Sequence, residues 1–321
     1  MRNNKPKVLS LIVLGVLVLF LPMLLSKYYL YLVKLSGIGI ILALGTNIFF
    51  GYCGQINFGA AAFYALGAYI SAILQVRLGL HFFAAFPLTL IGCLFASLIF
   101  GVPLLRLRHH TLALGTVAFA SVVYLVLNTW ITFTGGEDGL AMPKVSFFGY
   151  KAGSHFYYYL ILIFAVLSYL MCHYLVCSRV GRAMKAIRED EVAALSTGIN
   201  SGHYRMLAFT LNGLLSGLAG ILFAQESAWI TPSTFHLWTN VVIILMVVVG
   251  GAGSNFGAAL GGAIIMLLPQ LLGAFQQYHV LIYGVLLALT LRFMPQGIGD
   301  FVQKIVAWID RFLTKIGLAR A

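Results

Sequence analysis

Charged side chains, and acidic ones above all, are scarce in this 321-residue chain. It has 8 Asp and Glu residues against 20 Lys and Arg, and 9% of its residues are charged whereas 61% are hydrophobic. A soluble domain devotes about a quarter of its residues to charged side chains. The composition therefore predicts an all-α polytopic membrane protein, with one transmembrane domain over residues 1–321. We expect the net charge of +12 to reflect cytosolic Lys and Arg, with no role in nucleic-acid binding.

Motifs for chemistry are missing as well. No Lys follows a Gly, so the chain has no GxxxxGK[ST] phosphate loop and we expect no ATPase activity of its own. The four cysteines have no CxxC spacing, and the histidines have no metal-ligand spacing, so we expect neither a disulfide framework nor a metal site. No grouping of His, Asp, Glu, Ser or Cys at catalytic spacing occurs in or beside the apolar runs, which argues against an enzyme.

Long apolar runs predict about ten transmembrane helices, because about 20 apolar residues are needed for each crossing. The predicted spans cover residues 8–26, 35–52, 57–76, 83–104, 111–133, 156–177, 206–226, 239–254, 256–274 and 277–294. The region 239–274 has an alternative, a broken hairpin with a buried turn at Gly250–Gly257. The first run has no small-x-small cleavage site, so we expect a retained span there.

The basic residues divide unevenly between the two faces when the N-terminus is placed inside. Fifteen of the 20 then fall inside, and the five outside are Lys27, Lys34, Arg77, Lys144 and Lys151. The positive-inside rule requires this direction, and both termini are predicted in the cytoplasm. No acidic residue then lies at mid-membrane, where ion-coupled transporters need an ionisable group. Glu226, at the outer end of the seventh span, is the only candidate, and a solvated helix end is its alternative.

Two further patterns concern packing. Small residues recur four apart at Gly213 and Gly217, at Ser216 and Gly220, and at Gly253, Gly257 and Gly261, which predicts close approach of helices. At the end of the chain, residues 300–318 have one apolar face and a capping residue, Asp300. This segment predicts an amphipathic helix in the membrane interface, or alternatively a tail packed on the bundle.

One charged stretch, SRVGRAMKAIREDEVAALSTGINSGHYR at 178–205, lies between apolar runs. Seven charged residues fall between Arg179 and Glu191, and apolar residues recur there at helical spacing. Asp190 can cap a second helix and Gly198 can end it. We expect a helix-break-helix element that contacts a partner, with an ordinary solvated loop as the alternative.

Together with this stretch, four blocks characterise the chain: GYCGQINFGAAAFYALGAY at 51–69, TLALGTVAFA at 111–120, TGGEDGL at 134–140 and VVVGGAGSNFGAALGGAII at 247–265. They resemble, in content and order, the permease subunits of bacterial ABC importers for branched-chain amino acids, the LivM-type members of the LivH/LivM family. The resemblance implies a non-enzymatic transport subunit of the bacterial inner membrane, which carries branched-chain or related amino acids. A secondary transporter or channel for a small solute is the alternative.

The resemblance also implies partners. Two cytosolic ABC ATPase subunits would use ATP and Mg, so that no cofactor is expected in this chain. A second permease subunit of related sequence would form the other half of the conduit, and an extracytoplasmic binding protein would deliver the substrate. Membrane lipid would surround the assembly.

Site residues follow from the same resemblance. Residues 178–205 would be the loop that couples the permease to the ATPase, at Gly181, Arg182, Lys185, Arg188, Glu189, Asp190, Glu191, Ala193, Ala194 and Gly198. The broader importer pattern EAAxxxG is altered here, because Glu191 is displaced by one residue. The TGGEDGL block would form an outer gate or a dock for the binding protein, or a plain solvated turn, at Gly135, Gly136, Glu137, Asp138 and Gly139. The candidate pathway residues, for which hydrogen bonding between helices is the alternative, are Asn47, Gln55, Asn57, Asn128, Asn212 and Gln225.

Overall fold

The computed structural model describes residue 22 and residues 25–300, apart from 108, 148–149, 152, 272–277 and 295–296. This part of the chain is predominantly helical and includes two short strand pairs. The predicted first span at 8–26 and the predicted amphipathic helix at 300–318 lie outside the described residues, except for a few positions at their ends.

The first described helix, α1, covers Lys27–Thr46 and continues as a π-helix over Asn47–Tyr52. The later helices are α2 (Ala60–Val76), α3 (Phe82–Leu104), α4 (His109–Thr129), α5 (Ile131–Thr134), α6 (Ser154–Cys177), α7 (Arg179–Glu189), α8 (Glu191–Ser196), α9 (Ser201–Ser227), α10 (Leu237–Gly250), α11 (Asn255–Leu271) and α12 (His279–Phe293). Single 3₁₀ turns occupy Gly136–Asp138 and Pro232–Phe235.

Apolar helices coincide with the predicted spans from 35–52 onward. Five of them in the described residues are long and apolar enough to cross a membrane, and four more are apolar but shorter. The pair α10 and α11 has only 14 and 17 residues and is joined by a turn at 251–254. Since α10 rises about 21 Å and the hydrocarbon core is about 30 Å thick, the broken-hairpin interpretation of 239–274 is favoured.

Glycines allow the central helices to touch backbone to backbone. A Cβ added at Gly67 on α2 would lie 2.1 Å from the Gly217 carbonyl oxygen of α9, and one added at Gly220 would lie 2.1 Å from the Tyr64 oxygen. Close approach through Gly217 and Gly220 was predicted and is confirmed. The inclusion of Gly253 in a helical stripe was wrong, because it lies in the turn before α11 with φ of 89°.

Helices α3, α4 and α6 lie at the periphery and present large apolar side chains outward. Phe95 on α3 is 58% exposed and Leu114 on α4 is 70% exposed. Helices whose backbone is satisfied internally and whose outer surface is apolar are suited to contact with lipid. The described helices are therefore arranged as expected of a membrane bundle.

The bundle has two ends. Strand β1 (Leu140–Ala141) pairs antiparallel with β4 (Trp229–Ile230), with Leu140 opposite Ile230, and these strands define what we term the strand end. A second pair joins β2 (Ser146–Phe147) to β3 (Tyr150–Lys151). Helices α6 and α9 connect the strand end to the opposite end, which carries α7 and α8 and is termed the α7–α8 end.

Candidate functional site

Helix α7 lies against the bundle with one face and exposes the other. Ser178 caps its start, since its Oγ accepts a hydrogen bond from the Val180 amide at 3.2 Å. The buried face of the helix consists of Gly181, Ala183, Met184 and Ile187. Arg182, Lys185, Arg188 and Glu189 are exposed, so the charged residues of the sequence motif are available at the α7–α8 end.

The break between α7 and α8 is built by Asp190. Its backbone is extended, and its Oδ1 accepts hydrogen bonds from the amides of Val192 at 2.8 Å and Ala193 at 3.0 Å. Gly198 follows α8 with φ of 85°, in the left-handed region that favours glycine. The predicted cap and the predicted stop are thus both present.

Helix α8 projects an apolar pair that the sequence reasoning did not select. Val192 is 76% exposed and Leu195 is 52% exposed, and their spacing of three residues places them on one face. Ala193 is also exposed, whereas Ala194 is buried against the bundle. Val192 and Leu195, termed the α8 apolar pair, belong to the helix that directly follows α7 in the chain.

The inner side of α8 is anchored by ionic contacts. Arg205 donates to Oε1 of Glu191 at 2.9 Å and to Oε1 of Gln55 at 3.4 Å. Cys53 is fully buried beside these groups, and burial raises the pKa of the Cys53 thiol to about 12. Glu191 and Gln55, predicted respectively for coupling and for the pathway, are therefore joined through Arg205.

Helix α7 contacts the π-helix that follows α1 through two cations. The Nζ atom of Lys185 lies 5.5 Å from the centre of the Tyr52 ring. One turn later, Nη1 of Arg188 donates a hydrogen bond to the Gly51 carbonyl oxygen in the π-helix. Both residues were predicted to face a partner protein, and the structure shows that they also reach into the bundle.

The TGGEDGL block forms a tight turn at the strand end. Gly135, Gly136 and Gly139 have φ of 77°, 61° and 75°, and a Cβ at Gly139 would lie 2.0 Å from the Ile230 carbonyl oxygen. The Asp138 carbonyl accepts a hydrogen bond from Nε1 of Trp229 at 2.9 Å. Glu137 and Asp138 themselves are exposed. Tight backbone geometry thus explains the glycines of the block, while the two acidic side chains remain exposed at the surface.

The predicted pathway residues are mostly buried and mostly bonded within the bundle. Asn47 bonds to Asn255 and to the Gly253 amide, and Gln225 donates to Gln75 at 2.9 Å. Asn57 accepts from the Gly59 amide and Asn212 accepts from Ser216, both within a few residues of sequence. Asn128 is partly exposed near Glu137. Among the described residues, Nδ2 of Asn57, Nδ2 of Asn212 and Oε1 of Gln225 have no hydrogen-bond partner, so the pathway role stays a prediction.

Glu226 does not lie at a solvated helix end. Its side chain is 8% exposed and its Oε1 is 2.5 Å from Nζ of Lys34, whose side chain is 3% exposed. Lys34 also donates to Oγ of Ser154 at 2.8 Å, so the pair joins α1, α6 and α9. The solvated alternative for Glu226 was wrong, because its ionic partner lies on a helix 192 positions away in sequence.

The chain matches a family model described as "Branched-chain amino acid transport system / permease component" over residues 28–291. The chain belongs to this family. The family predicted from the four sequence blocks is therefore confirmed. Within the part of the chain that the structure describes, no group of three or more His, Cys, Asp or Glu side chains could hold a metal ion.

Several named relatives share most of the length. The chain is 31% identical over 315 residues to the high-affinity branched-chain amino acid transport system permease protein LivM of Escherichia coli, covering 90% of this chain and 74% of the relative. It is 28% identical to the permease protein BraD of Pseudomonas aeruginosa and 25% identical to LivH of Escherichia coli, in each case over 80% of this chain and 90% of the relative. No solved structure shows a significant match to the chain.

Proposed function

We propose that this chain is a permease subunit of an ABC importer that moves branched-chain or related amino acids into the cytoplasm, driven by separate ATPase subunits. The observation that carries the proposal is the α8 apolar pair. Val192 and Leu195 project from a capped helix at one end of an apolar bundle in a chain of this permease family.

The surface around α8 fits a protein partner. Exposed apolar side chains rimmed by charge mark interaction sites, because they gain most from removal from water. Helix α8 supplies the apolar part, and Arg182, Lys185 and Glu189 on α7 supply the charged rim. A cleft on a cytosolic ATPase subunit is the partner that we assign to this surface, and ATP and Mg would bind there and not on this chain.

The topology follows from that assignment. If the α7–α8 end faces the cytoplasm, the strand end faces outward, both termini are cytosolic, and the ten predicted apolar runs occupy the bacterial inner membrane as eight full spans and one broken hairpin. Glu137 and Asp138 would then meet an extracytoplasmic substrate-binding protein. A second permease subunit would complete the conduit, as the likeness to both LivM and LivH supports.

Cys177 provides a test of this orientation. It is the exposed one of the four free cysteines and lies at the junction of α6 and α7. A membrane-impermeant maleimide should label it in inside-out vesicles and not in intact spheroplasts. Labelling from the outer face alone would place α7 beyond the reach of any ATPase and refute the proposal.

Reconstitution tests the energy source. Proteoliposomes that contain this chain, a second permease and the ATPase subunits should accumulate leucine from its binding protein only when ATP is present on the ATPase side. Removal of the ATPase subunits should abolish uptake. Uptake without nucleotide would refute the proposal and favour the second candidate.

The second candidate is a secondary transporter, and the buried carboxylate of Glu226 favours it. Ionisable groups inside membrane proteins often take part in ion coupling. Here Glu226 is already paired with Lys34 at 2.5 Å, which gives it a structural role. Leucine uptake driven by a pH gradient, and abolished by Glu226→Gln, would support the transporter over the importer subunit.

A further inference from the structure

Two interrupted helices meet near the α7–α8 end. The first interruption is the π-helix at the end of α1 with the following residues 53–59, and the second is the turn 251–254 between α10 and α11. Asn47 joins them, since its Oδ1 accepts from the Gly253 amide at 2.9 Å and its Nδ2 lies 3.3 Å from Oδ1 of Asn255. The two segments therefore form one connected unit.

Arg188 of α7 reaches both segments at once. Its Nη1 donates to the Gly51 carbonyl oxygen. A Cβ added at Gly253 would lie 2.6 Å from that same Nη1, and one added at Gly54 would lie 2.9 Å from Cγ of Arg188. The side chain thus lies in a gap that only glycines leave open.

The chemistry of this contact favours a strong hydrogen bond between Arg188 and Gly51. The last carbonyls of a helix have no partners within the helix and carry the negative end of its dipole. A guanidinium that donates to such a carbonyl forms a charge-assisted hydrogen bond, which is about twice as strong as a neutral one. Lys185, one turn earlier on α7, adds a second contact at the Tyr52 ring.

We propose that Arg188 is a positioning residue that transmits movement of α7 to the two interrupted helices, and through them to the inner end of the transport path. Any displacement of α7 is passed to Gly51 through the hydrogen bond of Arg188, and to the turn at Gly253, which lies so near the same guanidinium that an added Cβ would be 2.6 Å from Nη1. The proposal rests on the proposed function for the source of the movement, an ATPase subunit that pushes on α7 and α8.

The contact can be tested on the chain alone through Cys53, which is fully buried between Gly51 and Gly54. In Arg188→Ala, peptide-resolved maleimide labelling of Cys53 should become at least about tenfold faster, the change expected when a hydrogen bond to a charged group is lost. Labelling of exposed Cys177 should not change. An unaltered Cys53 rate would overturn the proposal.

A pair of glycine variants supplies a matched control. Gly253→Ala places a Cβ against the Arg188 guanidinium and should accelerate Cys53 labelling as Arg188→Ala does. Gly79 also has positive φ, 65° against 89° for Gly253, but an added Cβ there meets no atom within 4 Å. Gly79→Ala should leave the Cys53 rate unchanged, and serves as the control for an alanine at a positive-φ glycine whose added Cβ displaces no side chain. Equal acceleration in both variants would count against the link.

The last measurement concerns transmission in the assembled importer. In Arg188→Ala, the amount of leucine taken up per ATP hydrolysed should fall at least about tenfold, and Arg188→Lys, which retains one charged donor, should recover part of it. A parallel loss of hydrolysis and uptake in both variants would show a structural role only and overturn the proposal. Absence of ATP-driven uptake in wild type would refute the proposed function, while the Cys53 rates would still decide the Arg188 contact.

Discussion

Lys34 on α1 and Glu226 on α9 form a buried ion pair, with 2.5 Å between Nζ and Oε1 and less than a tenth of either side chain exposed. Ser154, the first residue of α6, accepts a further hydrogen bond from the same ammonium. Three helices therefore meet at one charged contact near the strand end.

Removal of one member of this pair should destabilise the bundle. Glu226→Gln leaves the Lys34 ammonium buried without its counter-charge, and breaking a buried pair in this way costs about 3–5 kcal/mol. We expect a lower Tm of the detergent-solubilised protein. Replacement of both residues by Met should recover most of the loss, because no unpaired charge then remains. Lys27→Met, at an exposed position of the same helix, serves as the control and should have little effect.

The α8 apolar pair should be needed for assembly and not for folding. Val192→Asp with Leu195→Asp places charge on an exposed surface, so the Tm of the chain should stay close to wild type. Co-purification with the ATPase subunits should be lost, because a carboxylate cannot be removed from water cheaply at an interface. Leu78→Asp is the matched control, since Leu78 is 65% exposed in the loop between α2 and α3. Retention of the ATPase by the double variant would contradict the assignment of α8.

The cap at Asp190 should hold α8 in place. Asp190→Ala removes the acceptor for the Val192 and Ala193 amides, and loss of such a cap costs about 1 kcal/mol. Amide hydrogen exchange across 191–197 should accelerate about fivefold while exchange in α9 is unchanged. Asp190→Asn retains a good capping side chain and should behave like wild type. Equal exchange in the Ala and Asn variants would show that the cap does not stabilise α8.

The contact between α2 and α9 should not tolerate a methyl group. A Cβ at Gly67 would lie 2.1 Å from the Gly217 carbonyl oxygen, so the two backbones must move apart, at a cost of about 1–3 kcal/mol. Gly67→Ala should therefore lower the Tm. Gly92→Ala on α3 is the control, because its added Cβ meets Ile70 at an ordinary 3.4 Å. There the higher helix propensity of Ala should leave stability equal or improved.

Features that depend on neighbouring residues were predictable from the sequence. The positions of the apolar helices follow from runs of hydrophobic residues, and the cap at Asp190 and the left-handed Gly198 follow from local backbone chemistry. The four blocks indicated the family, which the match over residues 28–291 confirms. The roles of 178–205, 134–140 and the pathway residues stay predictions.

Features that depend on distant partners were not predictable. Arg188 and Gly51 are 137 positions apart, and Lys34 and Glu226 are 192 apart, so no spacing in the sequence joins them. The π-helix over Asn47–Tyr52 contains no proline, and its one glycine, Gly51, does not distinguish a π-helix from an α-helix. Gly253 was misassigned because a repeat of four residues looks the same whether it begins inside a helix or in the turn before it.

The antiparallel pairing of Leu140 with Ile230 has a consequence for the evolution of these proteins. The stretch between those two residues leaves the strand end along α6, passes through α7 and α8, and returns along α9 to its point of departure. The two ends of this segment are therefore adjacent, because they lie opposite each other in one strand pair. Such a segment can be exchanged between relatives at two neighbouring junctions, so a related chain could be given a different α7–α8 surface while both joins stay at the strand end.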